Sequence, residues 1–362
     1  MTRSFTASHR ELTALRLSAQ GIGAPAPDGI AGTVRRMLGV QAQDFAGAKW
    51  SVGLRTPGST DAEVEAAIAA GSVVRSWPMR GTLHLVPPED LGWMLSATSA
   101  RTIRSTQSRR RDLGLTAADL EAAREAAQRE LSGGRVLTRD ALLAVFDAAG
   151  VSTAGQRGYH LLSHLGITQT LVFGPVDGKQ QTFVLLDEWV PSPRRLEPEE
   201  ALGEFALRYF TGHGPATVRD FAWWSSLTLG DARAGLAVAR AQLDELDVDG
   251  TSYYLAADTA PASPAVHTLP GFDEYLLGYQ DRSAPLADGP LERVAPGKNG
   301  LFLSTIVVDG EVVGTWRRTI GVRGVAVELS PFDALSAAAQ KRVDARLAGY
   351  AAFLGVPLLA RE

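Results

Sequence analysis

The chain has 362 residues, of which 45% are hydrophobic and 21% are charged, and its formal net charge is −4. This length exceeds what one hydrophobic core usually accommodates, so we expect two or more packed units. The complete lack of cysteine excludes a disulfide framework, a thiolate zinc site and a cysteine nucleophile. The sequence begins without the apolar stretch of a signal peptide, and no apolar run approaches a membrane helix in length. We therefore expect a cytoplasmic protein that does not contact membranes.

The first part of the chain combines helices with an extended run. Helices are predicted near 8–20, near 29–39 and over the segment DAEVEAAIAAG, and the segment RSWPMRGTLHLV reads as extended chain. This order of elements predicts a first winged-helix unit with its connecting helices over 1–115.

Positive charge is concentrated at residues 101–111, which contain no acidic residue. Five arginines lie there: Arg101, Arg104, Arg109, Arg110 and Arg111. Proteins that bind nucleic acids usually have a basic surface, whereas this chain is acidic overall. Arginine also greatly outnumbers lysine along the whole chain. A solvated helix face is therefore the favoured interpretation of this segment, and a DNA-binding face is the alternative.

The middle of the chain shows the clearest pattern, three helices followed by a hairpin. Thr116 begins one helical segment, Thr138 caps a second, and a third is predicted over about 153–165. Two β-rich runs then flank Asp177-Gly178, a dipeptide that favours the positive φ angles of a tight turn. Three short helices and a two-stranded ribbon predict a winged helix over 116–196.

The same order of elements repeats over 197–259, with Asp249-Gly250 at the hairpin turn. The repeat is one of architecture without a fixed period, which disfavours a solenoid. After a Pro-rich linker the chain becomes rich in strands, with a hairpin turn at Asp309-Gly310 and an amphipathic helix at the end. These features predict a β-barrel with a C-terminal helix over 265–362. The predicted fold class is α+β, with tandem winged-helix units and a C-terminal β-barrel.

The segment LGVQAQDF is the most unusual short motif, because Gln41, Gln43 and Asp44 follow a predicted helix closely. In extended chain, residues two apart face the same way, so the two glutamines could hold one small polar ligand such as a water. A glutamine carbonyl can orient a water, and its NH2 can donate to a phosphate or a leaving group. These weak amide interactions suffice for catalysis only if the leaving group is already activated. From these residues alone, helix-end capping is the favoured interpretation.

Metal and cofactor chemistry are not indicated. His160 and His164 lie four residues apart on a predicted helix, a spacing that zinc can use, but there is no HExxH motif and no identifiable third ligand. The sequence also has no P-loop, no GxSxG elbow and no GxGxxG motif after a strand. We expect neither a metal nor a cofactor.

Five segments together resemble the AlkZ-like family of bacterial winged-helix DNA glycosylases, in particular its azinomycin-resistance type. They are VQAQDF at 40–45, RSWPMRGTLHLVPPEDL at 75–91, HGPATVRDFAWWSSL at 213–227, LPGFDEYLLGYQDRS at 269–283 and DGEVVGTWRR at 309–318. The resemblance covers nearly the whole chain. It implies tandem winged helices around a C-terminal β-barrel. It also implies excision of N7-alkylated guanine by a monofunctional hydrolase, including unhooking of interstrand crosslinks, in DNA repair or toxin self-resistance.

The resemblance also implies site residues. The Gln-hydrophobic-Gln motif of the azinomycin type falls on Gln41-Ala42-Gln43, so Gln41 and Gln43 are the predicted catalytic residues. Another branch of the family has Gln-x-Asp, and Asp44 lies one position later, so its share in water activation stays open. The implied partner is double-stranded DNA carrying alkylated guanine, and we expect a monomer.

The predicted DNA contacts are Lys49, Arg80, His84, Lys179, Gln180 and Arg317. Alternatives stay open for most of them: a structural hydrogen bond for Arg80 and His84, a solvated turn for Lys179, and an ion pair on the barrel surface for Arg317. Asp273 and Glu274 are interpreted as a structural link between the barrel and the winged helices. A non-catalytic DNA-binding regulator and an inactive paralogue are the alternative functions. The sequence shows neither the dimerisation element nor the basic recognition helix that a regulator usually has.

Overall fold

The computed structural model describes residues 4–6, 8–23, 29–287, 289–297 and 300–360. The N-terminal part contains β1 (Ser4–Thr6), α1 (His9–Ala19), α2 (Gly29–Met37), β2 (Val40–Gln41), α3 (Phe45–Arg55), α4 (Asp61–Ala69), β3 (Val74–Met79), β4 (Thr82–Val86) and α5 (Pro88–Asp112). Ser8, Asp44 and Thr60 cap the starts of α1, α3 and α4 by accepting a backbone N–H. The sequence pattern misses α3, and it indicates only the part over 101–111 of the 25-residue α5 as a helix. Two glycines weaken the helix signal in α3, and polar residues weaken it in α5.

The middle part contains α6 (Ala117–Leu131), β5 (Leu137–Thr138), α7 (Arg139–Ala148), α8 (Arg157–Ile167), β6 (Leu171–Phe173), β7 (Thr182–Leu185) and α9 (Leu186–Trp189). The predicted hairpin is confirmed, because β6 and β7 pair antiparallel around Asp177 and Gly178. Three helices followed by a hairpin is the order expected over 116–196, and the two-residue strand β5 is an addition to it.

The third part contains α10 (Pro198–His213), α11 (Val218–Ser225), α12 (Leu229–Ala239), β8 (Leu243–Val248) and β9 (Thr251–Ala256). Asp249 and Gly250 join β8 and β9 with φ angles of 50° and 78°, the tight turn that the sequence predicts. Strand β1 extends this hairpin by pairing in parallel with β8.

The C-terminal part contains β10 (Val266–Leu269), α13 (Glu274–Leu277), α14 (Ser283–Leu286), β11 (Ser304–Val308), β12 (Glu311–Gly321), β13 (Gly324–Pro331) and α15 (Ala337–Leu354). The strands pair in the order β10-β11-β12-β13. Within the described ranges the two edge strands do not pair with each other. The predicted C-terminal β-barrel is therefore not confirmed: the sheet is open, with four strands. Its apolar face is instead covered by α15 and α3, where Tyr350 packs against both Trp316 and Trp50.

A six-stranded sheet in the order β2-β4-β3-β6-β7-β5 connects the first and middle parts of the chain. Strand β3 pairs with β6 at Arg75 and Phe173. The sheet therefore crosses the predicted boundary at residue 115, and the division of the chain into units stays a prediction. None of the helices in the described part of the chain combines the length and apolar character needed to cross a bilayer.

A buried ion pair joins α3 to the segment that leads into α13. Arg55 donates from Nη1 to Asp273 Oδ2 at 2.8 Å and from Nη2 to Oδ1 at 2.9 Å, and the two side chains are 1% and 3% exposed. Ser51 donates to Asp273 at 2.7 Å, and Gln20 accepts from Arg55 at 2.7 Å. This bidentate pair fixes the start of α13, whose first residue is Glu274.

We predict that Asp273→Ala lowers the free energy of unfolding by about 3–5 kcal/mol, because it leaves the buried Arg55 guanidinium without a counter-charge. Urea denaturation followed by circular dichroism measures the change. Glu121→Gln is the matched control, since it breaks an exposed ion pair with Arg124 and should leave the midpoint unchanged. A shift for Asp273→Ala as small as the control's would contradict this role of the ion pair.

Candidate active site

Gln41 and Gln43, here called the glutamine pair, lie at the end of the short strand β2. Gln41 pairs with His84 on β4, and it is 6% exposed, whereas Gln43 is exposed. Gln41 Nε2 lies 2.8 Å from Gln43 Oε1. The two side chains therefore face the same way, as extended chain requires.

Arg80 lies beside the glutamine pair in the turn between β3 and β4. It adopts a φ of 55°, and Gly81 follows with 67°, so an arginine occupies a left-handed position that glycine usually fills. Its Nη2 donates to Gln41 Oε1 at 2.8 Å, and its Nη1 donates to the carbonyl of Trp224 at 2.6 Å. The guanidinium also lies 5.1 Å from the ring centre of Trp223. These contacts hold Arg80 in one orientation, at the cost of an uncommon backbone conformation.

His84 supports Arg80 from within the protein. It is fully buried, its Nδ1 lies 3.0 Å from the carbonyl of Thr82, and its Nε2 lies 3.0 Å from Arg80 Nη2. Burial, followed by the charge of Arg80, lowers the pKa of His84 to about 3, so the imidazole is neutral near pH 7. A carbonyl can only accept, so Nδ1 must carry the proton and Nε2 must accept from Arg80.

Consecutive hydrogen bonds link Arg80 to Gln41 and Gln41 to Gln43. Arg80 determines which atom donates and which atom accepts in each of them. A guanidinium only donates, so the atom of Gln41 that faces it must be the amide oxygen. The Gln41 NH2 then faces Gln43, and the atom of Gln43 that receives it must also be an oxygen. Among the described residues, the NH2 of Gln43 has no partner. The exposed Gln43 therefore offers two N–H donors and one remaining carbonyl lone pair to a ligand.

Glu274 supports the backbone of the same motif. It is fully buried, its Oε1 accepts the backbone N–H of Gln41 at 2.9 Å, and its Oε2 accepts the indole N–H of Trp224 at 2.8 Å. His213 Nε2 lies 3.4 Å from the same Oε2. Burial acts to raise the pKa of Glu274, but the contact with His213 and the positive charge of Arg80 outweigh it and lower the pKa to about 2. The carboxylate is therefore charged.

The sequence pattern did not place Glu274 in the site. Its available signal was the position of Asp273 and Glu274 between apolar residues, since a carboxylate in such a setting needs a partner when buried. The interpretation of the two acids as a structural link fits Asp273, which pairs with Arg55. Glu274 instead lies directly beneath the glutamine pair.

Asp44 does not take part in the hydrogen bonds that link Arg80, Gln41 and Gln43. It caps α3 by accepting the backbone N–H of Gly47 at 3.1 Å, and it forms an ion pair with Arg318 at 2.7 Å. The capping interpretation thus applies to Asp44, while the two glutamines make other contacts. Among the described residues, no hydrogen bond joins the Asp44 carboxylate to either glutamine side chain.

The predicted DNA contacts lie in different environments. Lys49 is bound within the protein, since its side chain is 8% exposed and its ammonium lies 2.6 Å from Asp61 and 2.5 Å from Glu65; its contact with DNA stays a prediction and would require these ion pairs to open. Arg80 and His84 make structural hydrogen bonds within the site, which is the alternative to DNA contact that the sequence leaves open for them. His84 has no exposed surface, so it can act on a ligand only through Arg80.

Lys179, Gln180 and Arg317 are exposed and remain candidates for DNA contact. Lys179 and Gln180 lie at the tip of the β6–β7 hairpin, where Lys179 lines a small cavity together with Phe45 and Arg75. Since Phe45 begins α3 directly after the glutamine motif, the hairpin tip lies on the side of the protein where that motif ends. Arg317 lies on β12, opposite Glu328 on β13.

A metal site is not apparent. Over the part of the chain that the structure describes, no three or more His, Asp or Glu side chains are arranged to hold a metal ion. His164 instead contacts Arg110 Nη1 at 2.7 Å, and burial, with the charge of Arg110, lowers the pKa of His164 to about 4.

We predict that His84 carries its proton on Nδ1 and stays neutral down to about pH 4, because burial and Arg80 disfavour the imidazolium. Nitrogen chemical shifts of 15N-histidine-labelled protein, assigned with His84→Gln, report both the tautomer and the titration. The urea-unfolded chain provides the control, since its histidines should titrate near about 6.5. An imidazole that gains a proton between pH 6 and 7 would contradict the assigned hydrogen bonds.

Three comparisons with known proteins identify the family of the chain. A sequence profile described as DNA glycosylase AlkZ-like matches residues 34–353. The chain is 31% identical over 334 residues to an interstrand DNA cross-link repair glycosylase of Streptomyces sahachiroi, covering 86% of this chain and 88% of the relative. The solved structure of the Streptomyces sahachiroi DNA glycosylase AlkZ is similar, with a TM-score of 0.80 and 28% identity over 98% of this chain and 99% of that one. The chain therefore belongs to the AlkZ-like family of DNA glycosylases.

Proposed function

We propose that this protein is a monofunctional DNA glycosylase that hydrolyses the N-glycosidic bond of N7-alkylguanine in double-stranded DNA. We further propose that it unhooks interstrand crosslinks, in DNA repair or toxin self-resistance. The observation that supports this most directly is the glutamine pair, whose amides Arg80 orients so that Gln43 faces outward. The name of the Streptomyces relative supports the crosslink activity.

The chemistry suits such mild groups because the substrate is already activated. Alkylation at N7 places a positive charge on guanine, which weakens the bond between N9 and the sugar C1′. As that bond breaks, its electron pair moves to the base and neutralises the charge. The water oxygen forms the new bond to C1′, and the water loses one proton to the solvent. The protein has to place the water and stabilise a sugar with oxocarbenium character.

We assign these tasks to the two glutamines. The remaining lone pair of Gln43 accepts a hydrogen bond from the attacking water, and its NH2 donates to an oxygen of the substrate. Gln41 keeps Gln43 in place. A guanidinium alone would oppose the positive charge that develops on the sugar, but the buried carboxylate of Glu274 offsets Arg80. The substrate therefore encounters amide dipoles close to a nearly neutral pair of charges.

Hydrolysis without strand cleavage is the expected reaction, because a lyase would need an amine nucleophile. Lys49 is the lysine nearest in sequence to the glutamine pair, and its ammonium is bound to Asp61 and Glu65. It is therefore not available to attack C1′.

We propose that the middle part of the chain acts as a winged helix whose hairpin, more than its third helix, contacts DNA. Helix α8 would be the recognition helix, but most of its residues are buried and α5 packs against it. Lys179 and Gln180 at the hairpin tip, and Arg317 on β12, are exposed and suited to phosphates. A monomer would suffice, because the residues of the glutamine site come from one chain. A DNA substrate places the protein in the cytoplasm.

We predict that the wild-type protein releases 7-methylguanine, and a bulkier N7-guanine adduct, from duplex DNA. Gln41→Ala and Gln43→Ala should each slow release about 10²–10³-fold under single-turnover conditions, since each removes a preorganised amide. Chromatography of the freed base measures the rate. Gln340→Ala is the matched control, because Gln340 lies on α15 and, among the described residues, its side chain bonds to Asp344 alone.

The outcomes separate the possible functions. Release by wild type and Gln340→Ala, with loss in the two other variants, would support the glycosylase and its site. If wild-type protein binds the duplex but releases neither base, the proposal fails, and a DNA-binding regulator or an inactive paralogue becomes the better interpretation. Unchanged rates in both glutamine variants would locate the chemistry elsewhere.

A further inference from the structure

The arginine cluster of α5 contains residues that serve the packing of the helix and residues that do not. Arg110 is buried, contacts His164 Nδ1 at 2.7 Å and donates to the carbonyl of Ile103 at 3.0 Å. Arg109 donates to Gln156 at 2.8 Å. The packing of α5 against the region of α8 accounts for these two residues.

Arg104 and Arg111 are exposed and, within the described ranges, make no hydrogen bond or ion pair. They are seven residues apart with the exposed Ser108 between them, so all three lie on one face of the helix. Arg101 is exposed one turn before Arg104 and donates to the carbonyl of Leu227 at 3.2 Å. We call Arg101, Arg104 and Arg111 of α5 the arginine stripe.

The stripe is a local excess of positive charge in an acidic protein. Residues 91–111 contain no acidic residue, although the whole chain has a net charge of −4. Basic residues in the last turn of a helix compensate its dipole, which accounts for a preference for arginine at 109–111. That effect falls off within one turn and does not explain Arg101 or Arg104. An anion outside the chain would satisfy these charges.

The stripe begins next to the candidate active site. Helix α5 packs along β3, and Thr102 lies against Gly81, the residue after Arg80. Arg101 and Arg80 both donate to backbone carbonyls of the segment from the end of α11 to the start of α12. From there the helix rises about 1.5 Å per residue, so Arg104 and Arg111 are about 10 Å apart along its axis.

We propose that the arginine stripe binds backbone phosphates of double-stranded DNA beside the base on which the glutamine pair acts. This proposal rests on the proposed function. Guanidinium groups match phosphate oxygens in geometry and charge. A separation of about 10 Å corresponds to about three phosphates of one strand, at 3.4 Å of duplex axis for each. Such contacts are independent of base sequence, which suits a protein that must reach a lesion in any sequence.

The test measures binding separately from catalysis. Fluorescence anisotropy with an undamaged duplex gives the dissociation constant over a series of KCl concentrations for wild type, Arg104→Ala, Arg111→Ala and the double variant. Each lost phosphate contact should reduce the slope of log K against log salt by about 0.9. Arg104→Lys/Arg111→Lys retains the charge and should retain most of the slope. Arg129→Ala on α6 is the matched control, because Arg129 is exposed and lies 3.7 Å from Glu130.

Reduced slopes in the alanine variants, with the slopes of Arg129→Ala and the lysine variant near wild type, would support the proposal. The alanine variants should also release 7-methylguanine at the wild-type rate when the enzyme is saturating. Slopes equal to that of Arg129→Ala would overturn the proposal, and so would a loss of release at saturating enzyme. Because the binding arm uses undamaged DNA, it is informative even if wild type releases no base, the outcome that would reject the proposed function alone.

Discussion

The geometry of the candidate site depends on one property of arginine: its guanidinium donates hydrogen bonds and cannot accept them. Arg80 donates to Gln41, and that single bond determines which end of each glutamine faces inward and which faces outward. Neutral His84 supports Arg80 from the other side, since its Nδ1–H donates to the carbonyl of Thr82 and its Nε2 accepts from Arg80. A glutamine pair without these neighbours could flip its amides. Here the exposed amide of Gln43 has one orientation.

This orientation requires segments that are far apart in the sequence. Strand β2 supplies the glutamines, the β3–β4 turn supplies Arg80, and α11 supplies the carbonyl of Trp224 that receives its second donor. Glu274 reaches the same place from α13 and accepts from both Gln41 and Trp224. The buried pair of Arg55 and Asp273 fixes α13 against α3. The site is therefore a product of the whole fold, while its exposed surface is small.

Short sequence patterns predict the structural features that depend on neighbouring residues, such as tight turns. The turn at Asp249-Gly250 forms the predicted hairpin because both residues adopt positive φ angles, and the one at Asp309-Gly310 does the same. The family resemblance, shown by the comparisons, identifies the chain as a DNA glycosylase of the AlkZ-like type. It also provides the prediction that Gln41 and Gln43 are catalytic, and the structure places these two residues in contact.

The sequence pattern could not predict contacts between residues that are far apart along the chain. A pattern of strands cannot tell whether a sheet closes, so the predicted barrel is an open sheet covered by α15 and α3. Lys49 follows the glutamine motif closely, but two carboxylates on or near α4 neutralise its ammonium. The positions of Glu274 and His84 around Arg80 likewise depend on tertiary packing. In each case the deciding partner lies in another element of the fold.

The most direct test of the central claim is the single-turnover release of 7-methylguanine by Arg80→Met and Arg80→Lys at saturating enzyme. The methionine variant keeps a long side chain but donates no hydrogen bond, so it should slow release about 10²-fold with little change in the affinity for DNA. The lysine variant can still donate to Gln41 and should recover part of the rate. A methionine variant that releases the base at the wild-type rate would contradict the account, as would one whose slower release is matched by weaker DNA binding.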